Sequence, residues 1–202
     1  MERTTGVPAK EHRQAIIWNV PNLLSFFRIG TIPFVVVCLF FPGPLASFLA
    51  ALFFSIASLT DLLDGYIARQ QKSETAVGKL LDPLADKLLI NSAFIMLIPL
   101  GRIPAWVVVL IVGREVAVTG LRGIASVEGL VIAASRWGKA KTIFQSSALI
   151  GLLLHYEHLG IDFHLLGTLV LWVALVITLG SGVDYFNKFY REHRKRAEGG
   201  KG

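Results

Sequence analysis

Cysteine and charged residues are both scarce in this sequence. The chain of 202 residues has one cysteine, Cys38, inside an apolar run, which excludes an internal disulfide and a cysteine-ligated metal site. Charged residues make up 17% of the chain and hydrophobic residues 53%, an unusual balance for a soluble globular protein. The apolar residues also come in blocks, and uncharged runs such as 42–60 and 165–183 have the length of a membrane-crossing helix.

These blocks predict an all-α, polytopic membrane protein whose transmembrane domain covers residues 21–187. Before it, residues 1–20 form a cytoplasmic or interfacial segment in which basic residues are mixed with Ile and Trp. This segment is typical of an amphipathic helix on the membrane surface, although a plain charged flank would have the same composition. After the domain, residues 188–202 form a basic cytoplasmic tail. The six predicted spans are at about 21–41, 45–68, 79–99, 104–125, 138–156 and 163–186.

The positions of Lys and Arg predict the orientation. The predicted loops near 42–46 and 156–163 contain neither residue, and the loop near 100–104 contains only Arg102. Most other basic residues lie at the ends of the chain or in the remaining loops, so both termini are expected on the cytoplasmic side of the cell (inner) membrane. Anionic membrane lipids and a small anionic substrate account for the net charge of +6 without a nucleic-acid partner.

Four carboxylates lie at the cytoplasmic ends of the second and third predicted spans. Asp61 and Asp64 are three residues apart, and Asp82 and Asp86 are four apart, so each pair shares a helix face. Four facing carboxylates repel one another unless cations neutralise them. Oxygen ligands without His or Cys favour Mg²⁺ or Mn²⁺, and four carboxylates can hold two such ions.

The four aspartates could instead be solvated charges at helix ends, or they could line the path of a cation transporter. Charges at membrane depth are usually functional, and here the spacing pairs them twice, which disfavours simple solvation. A transport path would place acidic residues near the membrane midplane rather than at one edge. The metal site remains the favoured hypothesis.

The pattern Asp61-x2-Asp64-Gly65-x2-Ala68-Arg69-x8-Gly78-x3-Asp82-x3-Asp86 resembles the motif of the CDP-alcohol phosphotransferases, which are integral membrane enzymes of phospholipid synthesis. The resemblance implies that the four aspartates bind two divalent ions and that Asp86 also accepts the proton of the attacking hydroxyl. It further implies a binding site for the CDP-linked donor, in which small residues leave room and Arg69 contacts phosphate. The implied donor-site residues of this motif are Gly65, Ala68, Arg69 and Gly78.

The acceptor alcohol differs among members of this family, and a second cluster of charges bears on it. Arg114, Glu115, Thr119 and Arg122 fall within an arc of about 140° at helical pitch. Lys139 and Lys141 follow, and because they are two apart, one of them faces away from the cluster. The arginines predict a pocket for a phosphate group, which favours glycerol 3-phosphate or inositol phosphate over a neutral alcohol.

A closer resemblance favours one of these acceptors. The stretches "WNVPNLLSFFRIGTIPFVVV", "GREVAVTGLR" and "WGKAKT" resemble bacterial members of the family that use glycerol 3-phosphate. This closer resemblance implies transfer of the phosphatidyl group from CDP-diacylglycerol to glycerol 3-phosphate, and a homodimer surrounded by membrane lipids. Asn22 and Arg28 match positions in the N-terminal motif of these enzymes. Arg28 could bind donor phosphate or extend to lipid headgroups.

Four alternative functions remain for the chain. Within the family, it could be a phosphatidylinositol phosphate synthase or a cardiolipin synthase. Outside the family, a prenyl-diphosphate enzyme also uses aspartate-bound Mg²⁺, although the aspartate spacing and the uninterrupted apolar runs disfavour it. A cation transporter is the alternative without enzymatic activity.

Overall fold

The computed structural model describes residues 20–41, 43–71, 76–128, 136–158 and 160–199. Side chains are described throughout these ranges except at 20–21, 61–71, 76–80, 136, 139, 158 and 197–199. The predicted amphipathic segment, 1–20, lies outside the described residues apart from Val20, where the first helix begins.

Helices account for most of the described residues, which confirms the predicted all-α class. Each of the six predicted spans corresponds to one helix, and their order along the chain is the predicted one. The helices are α1 Val20–Phe40, α2 Pro44–Gln71, α3 Ala76–Leu97, α4 Ala105–Val127, α5 Arg136–Leu154 and α6 Phe163–Gly199. The last helix is the longest and continues through most of the predicted basic tail.

The helix boundaries have local causes. Gly43, at a φ of +146, precedes Pro44 at the start of α2, and Pro104 precedes α4 in an extended conformation. Both positions suit proline, whose missing N–H is not needed at the start of a helix. At the other end of α5, His155 adopts a φ of 57, a left-handed conformation that ends the helix.

A small hairpin that was not predicted from the sequence joins α5 to α6. Strands β1 Glu157–His158 and β2 Ile161–Asp162 pair antiparallel, with Glu157 opposite Asp162. Gly160, at a φ of +77, lies in the turn, where glycine adopts a left-handed conformation without strain. The predicted loop near 156–163 therefore contains a short antiparallel hairpin with two residues in each strand.

The chain divides into two units, Met1–Ser92 and Ala93–Gly202. In the first unit α1 packs against α2, and the rings of Phe34 and Phe53 lie with their centroids 5.9 Å apart. Buried residues of α2 are mostly small, such as Ala50, Ala51 and Ala57, so neighbouring backbones can approach closely. This unit contains α3 up to Ser92, which includes two of the predicted metal ligands.

In the second unit α6 packs against both α5 and α4. Gly151 and Gly167 let α5 and α6 come very close, because a Cβ on Gly151 would lie 2.7 Å from the Cα of Gly167. Within the same helix pair, Gln145 Nε2 donates a hydrogen bond to Thr178 Oγ1 at 2.9 Å, and both residues are buried. These contacts fix α6 against the helices that carry the predicted acceptor site.

Arg102, between α3 and α4, closes the C-terminal end of α5. Its Nη1 donates hydrogen bonds to the carbonyl oxygens of Leu153, at 3.0 Å, and Leu152, at 3.3 Å. These carbonyls belong to the last turn of the helix, which has no intrahelical donors for them. Burial lowers the pKa of Arg102 from its usual value, and nearby Tyr156 partly offsets this effect. The guanidinium therefore has a structural partner in this unit.

Two helices among the described residues are long and apolar enough to cross a membrane, over Asn22–Phe40 and Phe163–Arg196. The apolar segments Pro44–Thr60 and Ala140–Leu154 are shorter. Large apolar side chains on these helices face outward; Phe40, for example, is 70% exposed. Two apolar helices indicate a membrane protein, and α3 and α4 both carry charged residues of the candidate site.

Candidate functional site

The predicted metal ligands lie on α2 and α3. Asp82 and Asp86 are one turn apart on α3, and both side chains are half-buried. Asp61 and Asp64 lie on the C-terminal part of α2, but their side chains are outside the described residues. Among the described side chains, no three of His, Cys, Asp or Glu gather in one place. The Asp82–Asp86 pair supplies hard oxygen ligands, which suit Mg²⁺ or Mn²⁺.

Asp82 has a partner, Ser25, that was not predicted from the sequence. The hydroxyl of Ser25, on α1, donates a hydrogen bond to Asp82 Oδ1. Ser25 is fully buried and lies midway between Asn22 and Arg28, which are also fully buried. The spacing of three places all of these residues on one face of α1. The sequence does contain a signal for this buried polar face, because three polar residues recur at a spacing of three in an otherwise apolar helix.

Arg28 had two possible roles, donor-phosphate binding and extension to lipid headgroups. A side chain that extends to headgroups keeps its charged end in water. The side chain of Arg28 has no exposed surface, so its burial disfavours the second role. The remaining donor-site residues, Gly65, Ala68, Arg69 and Gly78, lie on α2 and α3 outside the described side chains.

A buried ionic cluster lies in the second unit where the acceptor pocket was predicted. Arg114 Nη1 donates to Glu115 Oε1 at 2.9 Å, and Lys141 Nζ, from α5, donates to the same oxygen. About nine-tenths of each of the three side chains is buried. Two cations on one carboxylate leave a formal excess of one positive charge, which favours a further anion.

Helix α6 completes the surroundings of Arg114. Its Nη2 donates to Ser181 Oγ at 2.9 Å, and its side chain lies against Gly182. The buried Nε has no hydrogen-bond partner among the described residues. Neither Ser181 nor Gly182 was predicted as a site residue, because both lie in an apolar helix far from Arg114 in sequence.

The other predicted acceptor residues have different surroundings. Arg122 is exposed, and its guanidinium carbon lies 5.4 Å from the centroid of the Tyr185 ring, within range of a cation–π interaction. The Thr119 hydroxyl donates to the carbonyl oxygen of Glu115 at 2.6 Å, so its proton is used within α4. The side chain of Lys139 lies outside the described residues.

The described residues therefore form two chemically distinct groups. Carboxylates on α3 in the first unit suit divalent cations, and the basic cluster on α4 and α5 in the second unit suits a small anion with phosphate-like oxygens. Cations and phosphate groups together are the requirements of phosphoryl transfer.

Comparison with known proteins gives a consistent result. Residues 18–180 match the family model of the CDP-alcohol phosphatidyltransferases. A Bacillus subtilis (strain 168) protein named CDP-diacylglycerol–glycerol-3-phosphate 3-phosphatidyltransferase is 41% identical over 187 residues, which cover 85% of this chain and 95% of the relative. A Rickettsia bellii protein of the same name is 39% identical, covering 83% of this chain and 93% of its own.

A third relative carries a related name. The probable phosphatidylglycerophosphate synthase of Mycobacterium tuberculosis (strain CDC 1551 / Oshkosh) is 39% identical over 182 residues. The match covers 89% of this chain and 85% of the relative. The similarity to each of these proteins thus extends over nearly the whole chain.

Proposed function

Since the chain belongs to the CDP-alcohol phosphatidyltransferase family, we propose that it transfers the phosphatidyl group of CDP-diacylglycerol to sn-glycerol 3-phosphate. The products are phosphatidylglycerophosphate and CMP. The observation that carries this choice of acceptor is the buried cluster of Arg114, Glu115 and Lys141, whose excess positive charge suits a phosphate-bearing alcohol. The names of the relatives also specify glycerol 3-phosphate as the acceptor.

Asp61, Asp64, Asp82 and Asp86 would hold two divalent cations, Mg²⁺ or Mn²⁺. Bound there, the cations would neutralise charge on the donor diphosphate and on the CMP that leaves. The Ser25 hydroxyl fixes one oxygen of Asp82 and so restricts how this carboxylate can turn. Three of these aspartates act only as ligands in this proposal.

Asp86 has a second role, as the general base. The primary hydroxyl of glycerol 3-phosphate attacks the β-phosphorus of CDP-diacylglycerol and gives its proton to the Asp86 carboxylate. The bond between that phosphorus and the bridging oxygen breaks, and the electron pair leaves with CMP. General-base assistance of this kind contributes roughly 10²–10⁴ to a rate.

The donor would bind along α1, α2 and the start of α3. Gly65 and Gly78 leave space for the cytidine beside the backbone, and Ala68 keeps the neighbouring surface small. Arg69 and Arg28 would contact phosphate oxygens, and Asn22 lies on the same buried face of α1 as Arg28. The complete burial of Arg28 supports its assignment to a bound anion rather than to lipid headgroups.

The acceptor phosphate would bind to the basic cluster of the second unit. Arg114 and Arg122 would each offer a planar pair of donors to its oxygens, and Lys139 or Lys141 would add a point charge. Thr119, whose proton is donated to the carbonyl of Glu115, would accept a hydrogen bond from a hydroxyl of the acceptor rather than bind its phosphate. Arg114 on α4 and Lys141 on α5 both donate to Glu115 Oε1, which supports a binding region shared by the two helices.

The same proposal places the protein in the cell (inner) membrane with six spans, as a homodimer surrounded by lipid. Both termini and the site would face the cytoplasm, since Arg102 is the single Lys or Arg in the three loops assigned to the opposite side. The burial of Arg102 against the end of α5 explains why a basic residue is compatible with that side.

CMP release from a panel of acceptors tests the proposed function. Purified protein in detergent is incubated with CDP-diacylglycerol and Mn²⁺, and with glycerol 3-phosphate, inositol phosphate, phosphatidylglycerol, glycerol or serine. Rapid CMP release is expected with glycerol 3-phosphate and with none of the other acceptors. Preference for inositol phosphate or for phosphatidylglycerol would assign the chain to another branch of the family, and no release with any acceptor would contradict transferase activity.

A further inference from the structure

One face of α6 contacts both arginines of the predicted acceptor site, Arg114 and Arg122. Thr178, Ser181, Gly182 and Tyr185 follow the helical spacing of three, four and seven residues, so they share a face. Ser181 and Tyr185 are 2% and 6% exposed, although one is polar and the other carries a phenol. Buried polar groups require partners. The role of this face therefore follows from the side chains that it contacts, which are those of Arg114 and Arg122.

The orientation of the Ser181 hydroxyl is fixed. It donates its own proton to the carbonyl oxygen of Thr178, one turn back, at 2.9 Å. Its lone pairs are therefore available to accept, and they receive the hydrogen bond from Arg114 Nη2 at 2.9 Å. With Nη1 bonded to Glu115, the guanidinium is held at two nitrogens from two helices. Its plane is consequently set before any ligand arrives.

Gly182 provides the space that the Arg114 side chain occupies. A Cβ at this position would lie 3.0 Å from Arg114 Cγ and 3.4 Å from Arg114 Nε. A Cβ at Gly180, two residues earlier in α6, would have no neighbouring atom within 4 Å. The absence of a side chain thus matters at Gly182 and not at its neighbour, because only Gly182 lies under Arg114.

Tyr185 has the corresponding relation to Arg122. The ring is buried, while the guanidinium above it is exposed, with 5.4 Å between its carbon and the ring centroid. A planar cation over an aromatic face keeps its N–H groups directed outward in the guanidinium plane. Arg122 is therefore restrained by the ring while its donors remain available to an anion.

We propose that this face of α6 sets the acceptor preference, with Ser181, Gly182 and Tyr185 as positioning residues for the arginines that bind the acceptor phosphate. The inference rests on the proposed function, since it assumes that Arg114 and Arg122 bind that phosphate. These positioning residues do not touch the acceptor themselves. Their effect is transmitted through the arginines, so changes in them alter acceptor use and leave donor use intact.

Three variants with matched controls on α6 test the proposal. Gly182→Ala is compared with Gly180→Ala, and Tyr185→Leu with Tyr190→Leu, whose side chain is 68% exposed. Ser181→Ala is compared with Thr168→Val, since in the described part of the chain the Thr168 hydroxyl bonds to its own helix, at His164 O. For each protein, KM is measured separately for glycerol 3-phosphate and for CDP-diacylglycerol.

The expected result is a rise of about tenfold in KM for glycerol 3-phosphate in each of the three variants, because one charged contact is lost or displaced. The KM for CDP-diacylglycerol and the behaviour of the controls stay within about twofold of the unaltered protein. Tyr185→Phe, which keeps the ring, recovers most of the affinity lost in Tyr185→Leu. Equal changes in both KM values, or equal effects of Gly182→Ala and Gly180→Ala, would overturn the proposal.

A binding measurement separates this result from failure of the proposed function. If the unaltered protein releases no CMP with glycerol 3-phosphate, the proposed function fails. Titration calorimetry with inorganic phosphate then tests the arginines directly. Weaker phosphate binding in Gly182→Ala and Tyr185→Leu than in their controls supports the positioning role. Equal binding in all of these proteins overturns it.

Discussion

The Ser25 hydroxyl on α1 donates a hydrogen bond to Asp82 Oδ1 on α3, across 57 positions of sequence. Ser25 is fully buried, so water does not compete for its proton. The bond holds Asp82 Oδ1 and restricts how the carboxylate can turn. If Asp82 binds metal, Ser25 orients one of the ligands.

Ser25→Ala should therefore weaken metal binding. Partners that orient a metal ligand typically contribute about 10- to 100-fold to metal affinity, and we expect a loss of about tenfold here. Mn²⁺ binding followed by electron paramagnetic resonance measures the effect without turnover. Ser25→Thr, which keeps the hydroxyl, should restore much of the affinity. Ser55→Ala is the control, because the Ser55 hydroxyl bonds within α2, at Ala51 O, among the described residues; an equal loss there would contradict the specific role of Ser25.

Removal of divalent metal should abolish turnover. We expect no CMP release in excess chelator and recovery on addition of Mg²⁺ or Mn²⁺, because four carboxylates cannot bind an anionic donor without neutralising cations. Substitution of Asp61, Asp64 or Asp82 by Asn should raise the metal concentration needed for half-maximal rate. Full activity in excess chelator would show that these aspartates do not hold a required metal.

Asp86→Asn should separate binding from chemistry. The amide keeps the shape of the side chain but accepts no proton at this position, so kcat should fall by roughly 10²–10⁴. Binding of CDP-diacylglycerol, measured at equilibrium, should decrease much less than kcat. A variant with nearly normal kcat would remove Asp86 from the role of general base.

Arg102→Ala should affect stability and leave the acceptor site intact. The variant removes the donor that satisfies Leu152 O and Leu153 O at the end of α5, and we expect a loss of about 2 kcal/mol in stability. Thermal unfolding in detergent measures this change. The KM for glycerol 3-phosphate should not change in the folded protein. A rise in that KM would instead connect Arg102 to the acceptor site.

The sequence was sufficient to predict the helices, because long apolar blocks are a local signal. All six predicted spans correspond to helices, and their boundaries agree within a few residues except at the end of α6. The hairpin at Glu157–Asp162 was missed because its strands are two residues long and have no alternating pattern. It depends on the left-handed His155 and Gly160, which the sequence alone does not specify.

The charged residues of the candidate site could be predicted because charge is conspicuous in apolar helices. Arg114 and Lys141 are brought together on Glu115, as expected for one cluster. Their neutral partners could not be found in this way. Ser181 is 67 positions from Arg114, and serine and glycine are common in apolar helices, so their roles follow only from the packing of α6.

The central claim is that the arginines of the second unit select a phosphate-bearing acceptor, and one comparison tests it most directly. The kcat/KM values for glycerol 3-phosphate and plain glycerol are measured in the unaltered protein and in Arg114→Ala and Arg122→Ala. We predict that each variant loses roughly ten- to a hundredfold with glycerol 3-phosphate and little with glycerol, which is already a poor acceptor. Lys at either position should restore only part of the loss, because it lacks the planar pair of donors. Equal losses with both acceptors would contradict the claim and would assign these arginines to the stability of the fold.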